Sequence, residues 1–184
     1  GYEIPTTMEG LIELSDQMVA DGNTPWCIGV ESGNATGWTA TDWMEDLMLR
    51  TASPEKYDMW VSNELPFNSP EVLNAMEVYG QFSRNDDYVA GGASSVATTF
   101  FGDAPKGLFS SPASCLMHRQ ASFIPAFFPK KGEEVANGEA DFFYFPPYES
   151  ANLGNPVLGA GTLWTMTKDS PATREIGRAS CRER

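Results

Sequence analysis

Apolar residues recur at helical spacing near the start of the chain, over residues 8–19. Thr6 precedes this run and Glu9 follows Thr6 by three positions, which is the pattern of a capping box at a helix start. Gly22 supplies a stop signal after the last apolar position. The pattern therefore predicts an amphipathic helix at the beginning of the chain.

Three more helix starts are predicted between residues 37 and 83. Ser53–Pro54 and Ser69–Pro70 each place a capping serine directly before a proline that fits the first helical turn. Another helical pattern follows Gly37, and Thr39 or Thr41 is expected to begin that helix.

Short apolar or aromatic runs between the helical patterns predict strands. The clearest covers residues 25–30, and others cover residues 107–110, 141–145 and 157–167. Residues 113–127 are predicted to be mostly helical. Alternating helices and strands are typical of an α/β lobe, here a mixed sheet flanked by helices.

Charge excludes several classes of partner. The chain carries 12 Lys and Arg against 25 Asp and Glu, a formal net charge of −13. Phosphate backbones and anionic lipid surfaces repel such a chain, so no nucleic-acid partner is expected. No apolar run reaches the roughly 20 residues that a membrane helix needs, so we expect no membrane-spanning segment.

The last nine residues, IGRASCRER at 176–184, differ abruptly from the sequence before them. They are similar to the translation of a sequencing-adapter oligonucleotide, and we interpret them as a non-native tail. A basic tail of the natural protein is the alternative. Because Gly1 is an unusual start, we also expect the chain to be an internal piece of a longer protein, with any signal peptide outside it.

Motifs for catalysis or metal binding are absent from the sequence. His118 is the single histidine, and no Cys/His cluster, GxSxG motif or metal-binding spacing accompanies it. Glu31, Asp42, Glu45 and Asp46 are close enough in sequence for a pair of glycosidase carboxylates, although Glu45 and Asp46 are more typical of a solvated helix face. We therefore expect no catalytic residue, no metal and no cofactor.

The turn after the strand predicted at residues 25–30 carries groups that fit a small polar ligand. Glu31, Ser32 and Gly33 follow the apolar run directly, and Trp38 comes shortly afterwards. Ligands of open α/β sheets bind where the strands end, and an indole face suits a sugar ring. Trp38 could instead cap the core, and Ser32 could simply turn the chain.

Five ordered blocks of sequence carry a resemblance to one family. They are PTTMEGL at 5–11, TPWCIGVESGNATGWTATDWMEDLMLR at 24–50, PKGLFSSPASCLMHRQASFIPAFFP at 105–129, ADFFYFPPY at 140–148 and PVLGAGTLWTMTKDSP at 156–171. Through them, residues 1–175 resemble the family 1 extracellular solute-binding proteins, which are the maltose-binding-protein-like receptors of ABC importers. The alpha-glucoside subgroup is the best match.

This resemblance implies one lobe of a two-lobed, type II periplasmic-binding-protein-like fold. Residues 1–155 would form the second, C-terminal-type α/β lobe, and residues 156–175 a hinge strand that returns toward the first lobe. The implied function is that of a periplasmic or otherwise extracytoplasmic receptor, not an enzyme. It would close two lobes around an alpha-glucoside or similar oligosaccharide and deliver this small-molecule sugar to the permease subunits of an ABC importer, as a monomer.

Two other functions stay open at this point. One is an extracellular carbohydrate-processing enzyme, and the other is a solute receptor for a non-sugar polyol. Scarce Lys and Arg argue against an anionic ligand in either case.

The resemblance also extends the candidate binding site. Asp42 and Arg119 would supply rigid polar forks for sugar hydroxyls, and Ala113, Ser114 and Gly161 would line the cleft. Ala113 and Ser114 occupy a turn in which maltose binders carry an aromatic residue, which favours a shorter glucoside. Arg119 is equally compatible with a structural ion pair.

Two cysteines remain once Cys181 is set aside with the tail. In proteins of this family, the positions of Cys27 and Cys115 lie near the inner face of one lobe, and an exported protein can form a disulfide there. Two buried free thiols are the alternative, because sequence does not give the distance between the two Cα atoms.

Overall fold

The structure is a computed structural model that describes residues 1–161 and 165–175 of the 184-residue chain. Its α-helices are α1 (Met8–Ala20), α2 (Trp38–Thr51), α3 (Pro54–Val61), α4 (Pro70–Ser83) and the short α5 (Glu133–Ala136). Turns of 3-10 helix cover Gly33–Ala35, Ala93–Ser95, Ala104–Phe109 and Ile124–Phe127. Residues 171–175 are also helical.

The helix starts follow local chemistry closely. The hydroxyls of Ser53 and Ser69 accept hydrogen bonds from backbone N–H groups three residues later, at 3.4 Å in both cases, so these two predicted caps are confirmed. The cap of α1 is Thr7 and not Thr6, since the Thr7 hydroxyl accepts from the N–H of Gly10 at 3.1 Å. The predicted capping box is therefore wrong, because Gly10, three residues after Thr7, has no side chain to reach back to the cap.

Helix α2 begins one residue before the earlier of its two predicted starts. Gly37 precedes it with φ of 101°, a left-handed conformation that glycine adopts without steric cost. This glycine allows the helix to begin directly at Trp38, so neither Thr39 nor Thr41 is its first residue. The Thr39 hydroxyl instead donates to the carbonyl of Gly29 at 3.2 Å and ties α2 to residues 25–31.

The core lies where α2 packs on α4. Trp26 stands at its centre, 1% exposed, with its ring edge-on to Trp43 at 5.7 Å and to Phe82 at 5.2 Å. Its indole N–H donates to the Ser15 hydroxyl at 3.0 Å, which satisfies the one polar atom of the ring. The buried aromatic trio fixes residues 25–31 against the helical layer.

Residues 25–31 form the middle of a set of parallel pairings, but only as isolated bridges. Trp26 pairs with Val89 on one side and with Met117 on the other, and Glu31 pairs with Phe100. Within the described part of the chain these contacts do not extend into continuous strands. The mixed sheet predicted from sequence is therefore not confirmed, because the described residues contain only these isolated parallel bridges.

The chain segments beside the bridges explain why the pairings do not extend into strands. Gly91 and Gly92 have φ of 83° and 78° and turn the chain away just after Val89. On the other side, the N–H of Met117 donates to Pro25 O at 2.7 Å and the N–H of Cys27 donates to Met117 O at 2.8 Å. The described residues show no bridge beyond Met117 on this side.

Several predicted elements after residue 100 are wrong. Residues 107–109 belong to the 3-10 turn Ala104–Phe109 and Ser110 follows as its C-cap, so no strand forms there. Residues 113–127 contain no helix other than the 3-10 turn Ile124–Phe127. Residues 115–117 are extended because they pair with residues 24–27, so tertiary pairing overrides their helical pattern.

The aromatic run at residues 141–145 forms no strand either. The carbonyl oxygen of Phe145 accepts a hydrogen bond from Arg50 of α2 at 2.6 Å, in place of a strand partner. Residues 157–161 are not in a strand, and residues 162–164 of that predicted element lie outside the described residues. The tail at 176–184 lies outside them too, and the division at residue 155 stays a prediction.

Candidate functional site

The turn from Glu31 to Gly37 is braced by its own polar groups. One carboxylate oxygen of Glu31 accepts from the N–H of Gly33 at 2.6 Å. The Thr36 hydroxyl accepts from the N–H of Ser32 at 3.0 Å and donates to the carbonyl of Gly33 at 2.7 Å. The predicted ligand turn is thus a self-contained loop whose residues 33–36 are exposed.

Trp38 stands at the edge of a group of aromatic side chains that sequence analysis did not identify. Its ring lies edge-on to Phe101 at 5.0 Å and tilted against Phe123 at 5.9 Å, and Phe101 packs on Phe127 at 5.1 Å. Phe100, 38% exposed, packs on Phe101 at 4.6 Å. We call Trp38, Phe100, Phe101, Phe123 and Phe127 the aromatic rim. Trp38 is half-buried there and keeps part of its surface accessible.

Arg119 lies close to Asp42, but its hydrogen bond there is to the backbone and not to the carboxylate. The Arg119 guanidinium donates to the backbone carbonyl of Asp42 at 3.0 Å. It also forms an ion pair with the carboxylate of Asp46, and the Arg119 side chain is only 12% exposed. Arg119 therefore has the structural ion pair that sequence allowed, and a contact with ligand stays a prediction.

The carboxylates of α2 are less solvated than a free helix face. Burial raises the pKa of Asp42, and the positive charge of Arg119 offsets only part of this. Burial, with the charge of Asp42, also raises the pKa of Glu45. Asp46 is 7% exposed, so its assignment to a solvated face was wrong.

Arg50 is a second buried cation that sequence analysis missed. It is 2% exposed and shares the carboxylate of Asp46 with Arg119. Its Nε donates to Pro146 O at 3.0 Å and its Nη2 to Phe145 O at 2.6 Å. The four-residue spacing of Asp46 and Arg50 on one helix was the available signal.

A disulfide joins Cys27 to Cys115 across 88 residues, with their Cα atoms 5.4 Å apart. It holds the turn containing Ala113 and Ser114, both exposed, against the segment that leads to Glu31. The Ser114 hydroxyl donates weakly to Gly107 O at 3.4 Å. The two turns chosen from sequence are therefore linked covalently.

The structure does not bring all candidates together. Among the described residues, no hydrogen bond or ion pair joins Glu31 to Arg119, and none joins Gly161 to any other candidate. Gly161 is exposed, and a Cβ atom built on it would have no neighbour within 4 Å. We call three parts together the open candidate face: the 31–37 turn, the aromatic rim that contains Trp38, and the Asp42–Arg119 contact one turn further along α2.

The described part of the chain holds neither a membrane-spanning helix nor a cluster of metal ligands. Across residues 1–161 and 165–175, no helix is long and apolar enough to cross a membrane. The same residues contain no group of three or more His, Cys, Asp or Glu side chains that could hold a metal ion.

Comparison with known proteins identifies two relatives. The chain is 61% identical over 175 residues to the alpha-glucosides-binding periplasmic protein AglE of Rhizobium meliloti (strain 1021), covering 95% of this chain and 38% of the relative. It is 46% identical over 176 residues to the osmoprotective compounds-binding protein GgtB of Synechocystis sp. (strain ATCC 27184 / PCC 6803 / Kazusa), covering 96% of this chain and 41% of the relative. No protein-family model and no solved structure matches the chain.

The chain thus spans about two fifths of the length of both relatives, 38% and 41%. Because the first of these relatives is a periplasmic binding protein, the homology supports a lobe of that fold for the present chain. Over about 95% of its own length, the chain is homologous to part of these two solute-binding proteins.

Proposed function

We propose that this chain is part of an extracytoplasmic receptor that binds an alpha-glucoside or a similar oligosaccharide and delivers it to an ABC importer. The observation that carries the proposal is the 61% identity to a periplasmic protein named for binding alpha-glucosides. Neither relative is named as an enzyme, which favours binding without turnover. The periplasmic location is taken from the same relative.

The site proposed for the sugar is the open face beside Trp38. A half-buried indole with one accessible side can stack on the C–H face of a sugar ring. Glu31 and Asp42 offer carboxylate oxygens, and Arg119 offers N–H groups, for adjacent hydroxyls. Small, exposed Ala113 and Ser114 leave their own turn without a stacking ring, so a short glucoside fits better than a long maltodextrin.

The proposed mechanism is closure of two lobes around the ligand. In this proposal the parallel pairings around residues 25–31 belong to the mixed sheet of one lobe, and residues 156–175 form a hinge toward the other. A sugar that contacts both lobes favours the closed state, because only that state offers all of its contacts. The closed monomer would then dock on the permease subunits of the importer.

Calorimetry with the full-length protein tests the proposal. Trehalose, sucrose and maltose are titrated in turn, and each mixture is then analysed for free glucose. Saturable binding without release of glucose is expected. Release of glucose would instead establish a carbohydrate-processing enzyme, and the absence of heat with all three sugars would argue against an alpha-glucoside receptor.

A second candidate ligand class is supported by the other relative, whose name refers to osmoprotective compounds. A non-sugar polyol would use the same hydroxyl-binding groups but would leave the indole face of Trp38 unstacked. Thermal unfolding with mannitol and sorbitol beside the three disaccharides separates these classes, since a bound ligand raises the melting temperature by mass action. Stabilisation by the polyols alone would favour the second candidate.

A further inference from the structure

The ring of His118 is held in one tautomer by the backbone. Its Nδ1 lies 2.7 Å from the carbonyl oxygen of Cys27. A carbonyl oxygen only accepts hydrogen bonds, so Nδ1 carries the proton and donates it. In the neutral ring, Nε2 is then an unprotonated acceptor.

The neutral form is also the stable form. Burial lowers the pKa of His118, and the nearby charge of Arg119 acts in the same direction, whereas the hydrogen bond to Cys27 opposes both. The net direction is downward from an ordinary value of 6.5. At neutral pH, His118 therefore presents a bare lone pair at Nε2.

This lone pair is buried without a partner among the described residues. His118 lines a small recess with Thr39, Trp43, Arg119 and Gln120, next to residues 27–29. The recess has a volume of about 10 Å³, which is enough for about one water molecule or one hydroxyl oxygen. A buried acceptor in polar surroundings is seldom left without a donor in native proteins.

Two donors in the recess have other partners, and neither the Gln120 amide nor the Trp43 indole N–H donates to Nε2. The Thr39 hydroxyl donates to Gly29 O at 3.2 Å. Arg119 donates to Asp42 O at 3.0 Å and pairs with Asp46. A small additional donor, such as a water or a hydroxyl group, therefore fits beside Nε2. Because Arg119 lines this recess and also contacts Asp42, the donor would lie at the edge of the candidate sugar face.

We propose that His118 Nε2 accepts a hydrogen bond from one hydroxyl-type oxygen bound in this recess. His118 is then a specificity-determining residue for a hydroxyl-bearing ligand. The inference rests on the proposed function for the identity of that ligand. The donor is either a hydroxyl group of the ligand itself or a bound water that relays the contact, and the two share the same O–H chemistry.

Nitrogen NMR of the full-length protein labelled with ¹⁵N-histidine tests the inference. The His118 resonances are assigned by their loss in H118N. If a ligand hydroxyl is the donor, saturating trehalose moves the Nε2 resonance in the direction of hydrogen bonding. If water is the donor, Nε2 is already hydrogen-bonded without sugar and shows a dipolar contact with water. A free Nε2 signal both with and without bound sugar overturns the inference.

Two substitutions separate positioning from folding. Asparagine can keep the donor at the Nδ1 position, whereas glutamine can place an oxygen acceptor near the Nε2 position. H118N is expected to weaken trehalose binding about tenfold, as for loss of one hydrogen bond, and H118Q to restore part of it. Both variants are checked for an unchanged unfolding midpoint.

The outcomes distinguish the two proposals. No calorimetric binding of any alpha-glucoside by the unsubstituted protein contradicts the proposed function. Binding that is equally tight in H118N, with an Nε2 signal that stays free, contradicts only the role of His118. Trehalose analogues that each lack one hydroxyl group provide a matched probe. The analogue that lacks the hydroxyl bound to Nε2 should bind the unsubstituted protein and H118N with equal affinity.

Discussion

Arg119 forms an ion pair with Asp46 in which both side chains are largely shielded from water, 12% and 9% exposed. The same carboxylate binds Arg50, which in turn holds the carbonyl oxygens of Phe145 and Pro146. One anion of α2 therefore connects the open candidate face to the segment that follows residue 140. The buried carboxylate of Asp46 thus supplies a negative charge to both guanidinium groups.

Removing that carboxylate should destabilise the protein strongly. In D46N both arginines lose their anionic partner while staying buried, which costs about 3 kcal/mol of unfolding free energy. Urea unfolding followed by far-UV circular dichroism measures the change. D103N is the matched control, since Asp103 pairs with Lys106 at the surface, where both side chains are more than half exposed, 57% and 53%. Its change should stay within about 0.5 kcal/mol, and an equally small change in D46N would contradict the argument.

Reduction of the Cys27–Cys115 disulfide should lower stability by about 4 kcal/mol, because the bond closes a loop of 88 residues and restricts the unfolded chain. Urea unfolding with and without dithiothreitol measures this. Cys181 is replaced by serine throughout to prevent thiol exchange. The double variant C27A/C115A should be insensitive to dithiothreitol. Equal unfolding midpoints for the oxidised and reduced protein would show that the bond constrains little.

Gly107 is required by the packing of this disulfide. A Cβ atom at residue 107 would lie 2.4 Å from the Cys115 sulfur and 2.7 Å from the Ser114 oxygen, closer than real contacts allow. G107A should therefore cost about 1–3 kcal/mol by overpacking. G159A is the control, because a Cβ at residue 159 meets nothing within 4 Å. The penalty of G107A should shrink in the C27A/C115A background, and a penalty that does not depend on the disulfide would point to another cause.

Sequence predicted what short-range chemistry determines. Ser53 and Ser69 cap their helices through groups three residues away, so a local pattern was sufficient. Arg50 illustrates the opposite case, because its partners Phe145 and Pro146 lie 95 and 96 residues away in the chain. The helix predicted for residues 113–127 failed for the same reason. Leu116 and Met117 pair with residues 24–27, and a pairing so distant in sequence leaves no local signal.

The candidate site likewise contains residues that a local sequence pattern identified and residues that only the fold brings together. Trp38 and the Glu31 turn were found because they adjoin one apolar run in sequence. The aromatic rim unites residues from 38, 100–101 and 123–127, which only the folded chain brings together. The pairs of adjacent phenylalanines were visible in sequence, but nothing there indicated that they share a surface with Trp38.

His118 should contribute a distinct pH dependence to stability. Its pKa is lowered in the folded protein, so below about pH 6.5 the unfolded chain binds more protons than the native state. The contribution is complete above the unfolded pKa and is lost as the pH falls through the folded pKa. Urea unfolding from about pH 7.5 to about pH 5 should therefore show a decline that is smaller in H118N.

The carboxylates of α2 do not account for the expected difference in pH dependence between the unsubstituted protein and H118N. The pKa values of Asp42 and Glu45 are raised by burial, so their contribution is greatest at low pH and is lost as the pH rises. That sign is opposite to the sign of His118, and both carboxylates are present in the two proteins compared. The difference between the unsubstituted protein and H118N isolates the histidine. Parallel curves would mean that His118 titrates alike in the folded and unfolded states.

Trp38 provides the sharpest test of the sugar face. Trp38 and Trp60 are both half-buried and both pack edge-on or tilted against two aromatic neighbours, Phe101 and Phe123 for Trp38 and Tyr57 and Phe67 for Trp60. W38A and W60A therefore remove the same ring from comparable packing, and their losses of unfolding free energy should be similar.

Only W38A should lose affinity, by about tenfold or more, because only that ring adjoins the Glu31 turn and the Asp42–Arg119 contact. Calorimetric titration with trehalose at a temperature where both variants are folded measures the difference, and ligand-induced quenching of tryptophan fluorescence should disappear in W38A and persist in W60A. Equal affinity in the two variants would mean that Trp38 only covers the core. The sugar would then have to bind on another surface of the lobe, since no other ring of the aromatic rim carries both a stacking face and a hydrogen-bonding edge.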